Sequence, residues 1–196
     1  MGTATATAVV AGLLVLLWVA GCRREIDGPP ANDSSVQTEQ TGPQAADLFA
    51  GWPEQLKDLV VSARDRFEAP SLFPTAGFEL PAGAVIVDVR TAAEIAVSVI
   101  PGSRALSDDD LREAFLDEVH PGPVVVYCTA GWRSAEFTAE LVDAGVQALN
   151  LEGGVCAWAL VGGLLVDQQG APTQRIHAYS DDFAECVPLG FQAVFD

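Results

Sequence analysis

Two short runs of apolar, mostly β-branched residues constrain the fold of this chain more than any other feature. Residues 84–89 read AVIVDV and residues 124–127 read VVVY, and each run follows a segment of proline and glycine. Between these two runs, the sequence predicts a short helix over residues 92–97 and a longer helix over 108–119 that Ser107 caps. Short apolar strands that alternate with helices are typical of an α/β domain with a parallel sheet.

The segments on either side continue this alternation. Apolar residues at helical spacing predict an amphipathic helix over residues 53–67. A helix over residues 134–144, a strand over 148–151 and a last helix that begins at Gly153 and Gly154 complete the pattern. Parallel sheets of this kind bind ligands at the carboxyl ends of their strands, which is where Cys128 falls.

The loop that follows the second apolar run has the residues of a reactive thiol site. Cys128 heads the sequence CTAGWR, between a predicted buried strand and the first turn of a helix. Backbone N–H groups there have no helical partner, and together with the helix dipole and Arg133 they stabilise a thiolate. Gly131 lets the backbone curl around the sulfur, and the planar fork of Arg133 suits an oxyanion. The alternative is a strand-end cysteine that packs as a small hydrophobic residue.

Four sequence elements, in order, resemble the rhodanese superfamily over residues 85–166. The first is Asp88-Val89-Arg90 followed by Glu94, and the second is Ile100-Pro101-Gly102-Ser103. The third is the loop from Tyr127 to Ser134, and the fourth is LEGGVCAW at residues 151–158. The chain departs from the family's pattern at Ile95, where an aromatic residue is usual, and at Ser98-Val99, where Gly-His is usual.

This resemblance implies a rhodanese-like α/β domain, with a central parallel sheet flanked by helices on both faces. It implies that the Cys128 thiolate takes a sulfane sulfur from thiosulfate or a similar donor, becomes a persulfide, and passes the sulfur to a thiophilic acceptor. The substrate-binding residues would be those of the loop, namely Thr129, Ala130, Gly131, Trp132 and Arg133. The four residues between Cys128 and Arg133 favour sulfur, since related phosphatases and arsenate reductases carry five.

Three further polar residues are expected to support the loop. The family's equivalents of Asp88 and Arg90 are chiefly structural and brace the loop region. The spacing of Arg90 and Glu94 predicts that these two side chains pair with each other. No CxxC motif or cluster of histidine and cysteine suggests a metal site, and the proposed chemistry requires no cofactor.

The N-terminal part of the chain has the pattern of an export signal. Residues 8–20 carry no charge, and Val19, Ala20 and Gly21 precede Cys22, which resembles a bacterial lipobox with Cys22 as the lipidated residue. The first seven residues lack the usual lysine or arginine. An uncleaved membrane anchor or a buried apolar helix are the alternatives. The signal hypothesis predicts an extracytoplasmic, membrane-anchored lipoprotein on the periplasmic side or the cell surface.

The predicted organisation has five parts. A signal peptide over residues 1–22 precedes a polar, flexible linker over 23–46. A helical extension over 47–80, the rhodanese-like domain over 81–168 and a C-terminal extension of unassigned role over 169–196 follow.

The net charge of –17 restricts the partners of the chain. Such a surface repels nucleic acid and anionic lipid headgroups, so neither is expected as a ligand. The expected partners are a small sulfur donor, a thiol or cyanide-like acceptor, the membrane through the lipid anchor, and a reductant.

Two other functions remain open at this point. One is a non-catalytic binding module, although this class has usually lost the cysteine. The other is a thiol redox or persulfide-sensing lipoprotein, in which Cys156 acts as a resolving thiol or forms a disulfide with Cys186. Two unpaired buried thiols are the alternative for Cys156 and Cys186.

Overall fold

The computed structural model describes residues 48–195 of the chain. The predicted signal peptide, Cys22 and the linker of residues 23–46 lie outside the described residues. Within the described part, no helix is both long enough and apolar enough to cross a membrane.

Helices and strands alternate along most of the described chain. Their order is α1 (Glu54–Arg66), β1 (Ser71–Leu72), β2 (Val85–Asp88), α2 (Ala92–Val97), β3 (Arg104–Ala105), α3 (Asp109–Leu116), β4 (Val124–Tyr127), α4 (Trp132–Asp143), β5 (Ala148–Leu151), α5 (Gly154–Leu160), β6 (Arg175–His177), a 3₁₀ helix (Asp181–Cys186) and β7 (Gln192–Val194).

The first five strands form one parallel sheet in the order β1-β5-β4-β2-β3. The two strands with the strongest sequence pattern are neighbours, because β2 pairs with β4 from Val85 opposite Val124 to Asp88 opposite Tyr127. Strand β4 lies in the middle of the sheet and all four of its residues are buried. The predicted parallel sheet is confirmed.

Both faces of this sheet are covered by helices, as expected. Along β4, Val125 and Tyr127 point into one apolar cluster, whereas Val124 and Val126 point into another, as the period of two in a strand requires. Helices α1 and α5 supply residues to the first cluster. Helices α3 and α4 supply Phe115, Phe137 and Leu141 to the second cluster, which also contains Cys128.

The segments before and after the rhodanese-like sequence elements of residues 85–166 pack into the same core. Trp52, Leu56 and Val60 from the N-terminal side join the first cluster, together with Ile176 and Cys186 from the C-terminal side. Strands β6 and β7 form a separate two-stranded parallel sheet. The 3₁₀ helix lies against α1, where the Gln55 amide donates a hydrogen bond to the Asp182 carbonyl at 2.5 Å.

The start of α3 differs from the sequence prediction. Asp108, not Ser107, is the N-cap, because its extended backbone lets its carboxylate accept a hydrogen bond from the Leu111 N–H at 2.9 Å. The helix ends at Leu116, three residues before the predicted end.

Candidate active site

Cys128 lies directly after β4 and at the beginning of α4. Its side chain is 2 % exposed. The sulfur accepts a hydrogen bond from the Gly131 N–H at 3.1 Å and one from the Ser134 hydroxyl at 3.5 Å. Gly131 is the N-cap of α4, so the sulfur lies against the positive end of a twelve-residue helix. This arrangement stabilises negative charge on the sulfur.

The loop keeps this shape because the chain after β5 clamps it. The Val155 N–H donates to the Cys128 carbonyl at 2.9 Å, and the Cys156 N–H donates to the Thr129 carbonyl at 3.2 Å. Such close approach requires glycine, because a Cβ on Gly154 would overlap the Cys128 carbonyl. The Asn150 amide also donates to the Gly131 carbonyl at 3.2 Å.

Arg133 is bound to Glu94 in a bidentate ion pair. Its Nη1 and Nη2 donate to the two carboxylate oxygens of Glu94 at 2.9 and 2.6 Å. The Thr129 hydroxyl donates to the same carboxylate at 2.6 Å. Arg133 therefore lies at the loop as expected, but its fork faces a carboxylate of the protein itself.

Glu94 is fully buried, and its charge depends on these partners. Burial by itself would raise the pKa of Glu94, but the hydrogen bonds and charge of Arg133, with the bonds from Thr129 and Thr91, outweigh burial and hold the pKa at about 2. Glu94 is thus a carboxylate that joins α2 to the Cys128 loop.

The predicted pairing of Glu94 with Arg90 is wrong. Helix α2 begins only after Thr91, which caps it and forms a capping box with Glu94, so Arg90 does not share the helical face of Glu94. Arg90 instead donates from Nη2 to Asp88 at 2.7 Å and to the Ser98 carbonyl at 2.5 Å. Asp88 and Arg90 are both fully buried, and the Arg90 guanidinium lies over the Tyr127 ring.

A pocket of about 370 Å³ opens over Cys128. Its floor is the loop, and its walls come from both ends of the described chain. It is lined by Leu59, Cys128, Thr129, Ala130, Trp132, Arg133, Ala178, Tyr179 and Phe183. Trp132, one of the predicted substrate-binding residues, is held edge-on by Phe67, with ring centroids 5.3 Å apart.

Cys156 and Cys186 are free, buried thiols, as is Cys128. Burial, and then the charge of Cys186, raise the pKa of the Cys156 thiol well above its usual value. Burial, and then the charge of Glu185, raise the pKa of Cys186 to about 11. Neither thiol is a ready nucleophile, since thiolates are the reactive form. Within residues 48–195, no group of histidine, cysteine and acidic residues suits a metal ion.

Five residues that shape the site were not predicted as site residues from the sequence. Ser134 and Asn150 bind the sulfur and the loop, and Leu59, Tyr179 and Phe183 line the pocket. Asn150 is the polar residue of the otherwise apolar strand predicted over 148–151, and this position was a usable signal that it has a role in the site. Tyr179 and Phe183 lie in the C-terminal segment, outside the four sequence elements that resemble the rhodanese superfamily, and belong to no motif.

Comparisons with known proteins find relatives of this chain. The model of the rhodanese-like domain family matches residues 79–160. A sulfurtransferase of Allochromatium vinosum is 37% identical over 87 residues, which cover 44% of this chain and 81% of that protein. The thiosulfate sulfurtransferase GlpE of Pseudoalteromonas translucida is 29% identical over 75 residues, which cover 38% of this chain and 71% of that protein. The chain belongs to the rhodanese-like family, and these relatives support a sulfurtransferase type of function.

A search of solved structures finds rhodanese-related proteins as well. One, from Thermoplasma volcanium, matches with a TM-score of 0.40 and 27% identity, over 43% of this chain and 84% of that chain.

Proposed function

We propose that this protein transfers a sulfane sulfur from thiosulfate or a similar donor to a thiophilic acceptor through a persulfide on Cys128. The observation that carries this proposal is the position of the Cys128 sulfur. It lies at the floor of a pocket, at a helix N-terminus, with two hydrogen-bond donors aimed at it.

The reaction needs two displacement steps at sulfur. In the first, the Cys128 thiolate attacks the outer sulfur of thiosulfate, a bond forms between the two sulfurs, and sulfite leaves with the electron pair of the broken S–S bond. In the second, the acceptor attacks the outer sulfur of the persulfide, and the Cys128 thiolate leaves. No external oxidant or reductant is consumed, and the Gly131 N–H and Ser134 hydroxyl stabilise the charged sulfur in both steps.

Two features favour sulfur over phosphate as the transferred group. The loop has four residues between Cys128 and Arg133, one fewer than the related phosphatases. The Arg133 fork is also bound to Glu94, so it does not present both donors to a phosphate.

Steady-state kinetics test this proposal. With thiosulfate as donor and cyanide as acceptor, the full chain should form thiocyanate with ping-pong kinetics, and Cys128→Ser should abolish the activity. Cys186→Ala is the matched control, because this cysteine is buried away from the pocket lining, and it should keep the activity. Equal rates for the wild type and Cys128→Ser would exclude the proposal.

We further propose that the protein works outside the cytoplasm, held at a membrane by a lipid on Cys22, with a reductant partner that keeps Cys128 reduced. The apolar run before Cys22 supports this proposal. Cell fractionation with Cys22→Ala tests it: the wild type should sediment with membranes and the variant should not. Identical fractionation of the two proteins would contradict it.

A further inference from the structure

We propose that the sulfur acceptor is an uncharged organic thiol with an apolar, aryl or alkyl, body, which the pocket over Cys128 selects. This inference rests on the proposed persulfide chemistry and names the class of substrate for its second step.

The size and lining of the pocket suit an organic molecule. Its volume of about 370 Å³ falls within the range of about 300–1,000 Å³ that is usual for organic ligands. Most of its wall is apolar or aromatic, from Leu59, Ala130, Trp132, Ala178, Tyr179 and Phe183. A cyanide or sulfite ion would leave most of this wall exposed to water. An aryl or alkyl group would cover it.

The charges around the pocket disfavour an anionic acceptor. Of the described residues that line it, Arg133 alone carries a positive charge, and Glu94 neutralises that charge through both of its oxygens. Beyond Arg133, a neighbouring surface depression is lined by four acidic residues, namely Asp109, Glu113, Glu136 and Glu140, with Arg112 as a further cation. The whole chain adds a net charge of –17. An uncharged thiol approaches without this electrostatic cost, which the small thiosulfate dianion meets in the first step and a larger, polyanionic thiol would meet again in the second.

The aromatic wall is held in place by the protein itself. Tyr179 has a positive φ of 68°, which is uncommon for a residue with a bulky side chain. Its backbone N–H donates to His177 Nδ1 at 3.0 Å, which stabilises this conformation. The Tyr179 ring then lies under the Arg133 guanidinium and edge-on to Phe183, with ring centroids 6.1 Å apart. Backbone strain of this kind tends to mark functional sites, and here it fixes a ring at the mouth of the pocket.

The transfer step is balanced with such an acceptor. The thiol loses its proton to bulk water, and its sulfur attacks the outer sulfur of the Cys128 persulfide. A new S–S bond forms, the bond between Cys128 and the outer sulfur breaks, and the Cys128 thiolate leaves with the electron pair. The products are an organic persulfide and the free enzyme.

A single-turnover measurement tests the inference. The persulfide on the full chain is formed with thiosulfate, the donor is removed, and the loss of one sulfur is followed by intact mass after adding 2-phenylethanethiol or 2-mercaptoethanol. The ratio of the two rate constants is compared between proteins, which cancels the intrinsic reactivity of each thiol. Phe183→Ala should lower the ratio about tenfold, because it removes buried aromatic contact with the phenyl group.

Two further variants guard against a folding artefact. Tyr179→Gly removes the second ring and relieves the positive φ, so it should stay folded and also lower the ratio. Leu189→Ala is the matched control, because Leu189 is a fully exposed apolar residue of the same segment outside the pocket, and the ratio should not change. A ratio that is the same in wild type, Phe183→Ala and Tyr179→Gly would overturn the inference while leaving the persulfide chemistry intact.

A second readout separates this inference from the proposed function. If thiosulfate adds no sulfur to Cys128, the proposed function fails, and alkylation of Cys128 by N-benzyliodoacetamide and by iodoacetamide then measures pocket preference directly. The inference predicts faster reaction with the benzyl reagent in wild type and loss of that preference in Phe183→Ala and Tyr179→Gly. Equal preference in all three proteins would contradict it.

Discussion

Glu94 is the residue on which the site's electrostatics depend. It is buried, it binds both nitrogens of the Arg133 fork, and it accepts a hydrogen bond from Thr129. It also completes the capping box of α2, in which Thr91 is the N-cap. One carboxylate therefore fixes the start of a helix and two residues of the Cys128 loop.

The Glu94 carboxylate should make the fold sensitive to acid. Its pKa is lowered from 4.5 to about 2 in the folded chain, so its stabilising contribution is complete above about pH 4.5 and is lost as the pH falls toward 2. We expect this contribution to be on the order of 3 kcal/mol. Urea unfolding at pH 7 and pH 3 measures the part of this contribution that is lost by pH 3, and Glu94→Gln should show a smaller loss between these two pH values. Equal losses in both proteins would contradict this assignment.

The Ser134 hydroxyl is expected to contribute to the reactivity of Cys128. Ser134→Ala removes one of the two hydrogen bonds to the sulfur, which should slow alkylation of Cys128 by iodoacetamide at neutral pH about fivefold, as for the loss of about 1 kcal/mol. Thr138→Ala is the control, because Thr138 is a buried hydroxyl on the same helix that binds the Ser134 carbonyl and not the sulfur. Unchanged alkylation in Ser134→Ala would show that the hydroxyl has no such role.

The sequence predicted the individual residues of the site better than it predicted which of them pair with each other. The four motifs located Cys128, Arg133, Asp88 and Glu94. They did not reveal that Arg133 binds Glu94, because the two residues are 39 positions apart and only the packing of α2 against the loop brings them together. Spacing along a helix favoured the wrong partner, since Arg90 precedes the helix and does not belong to it.

At the scale of elements, the site is a junction of β4, α4 and the first turn of α5. The alternation of apolar runs was sufficient to predict β2, β4 and β5 and their parallel orientation, but not their order in the sheet. Exact helix ends were harder to predict, because Ser107 and Asp108 are both good caps and the backbone conformation decides between them. The hydrogen bonds by which the start of α5 holds the Cys128 loop join backbone groups only. Glycines that allow the close approach are therefore the only trace of this contact in the sequence.

Gly154 should be far less tolerant of substitution than another glycine of similar conformation. A Cβ there would meet the Cys128 carbonyl, whereas Gly162 also has a positive φ but has open space around it. Gly162→Ala should cost about 1 kcal/mol from backbone strain alone. Gly154→Ala should cost roughly 2 kcal/mol more and also lower the sulfurtransferase activity. Denaturant unfolding of both variants measures the difference, and equal costs would argue against the clamp.

At the scale of the whole described chain, the flanking segments are part of the site. Leu59 from α1 and Tyr179 and Phe183 from the C-terminal side form one wall of the pocket. The Cys128 loop does not form this wall by itself. No sequence pattern predicted this, because the resemblance ends near residue 166 and the aromatic residues beyond it have neither strand nor helix periodicity. Their role depends on tertiary packing against α1 and the loop.

The C-terminal segment should therefore contribute to stability. Ile176 is fully buried in the first apolar cluster, so Ile176→Ala should lower the free energy of unfolding by about 3 kcal/mol. Leu189→Ala, at a fully exposed position of the same segment, should change it by less than about 0.5 kcal/mol. Urea unfolding of both variants is the measurement. A negligible effect of Ile176→Ala would mean that this segment does not belong to the folded core.

The central claim is that Cys128 carries the transferred sulfur. Intact-mass measurement of the full chain after treatment with thiosulfate tests it most directly. We expect the wild type to gain one sulfur atom, the Cys128→Ser variant to gain none, and added thiol to remove the sulfur from the wild type. A wild type that gains no sulfur, or a Cys128→Ser variant that still gains one, would contradict the claim.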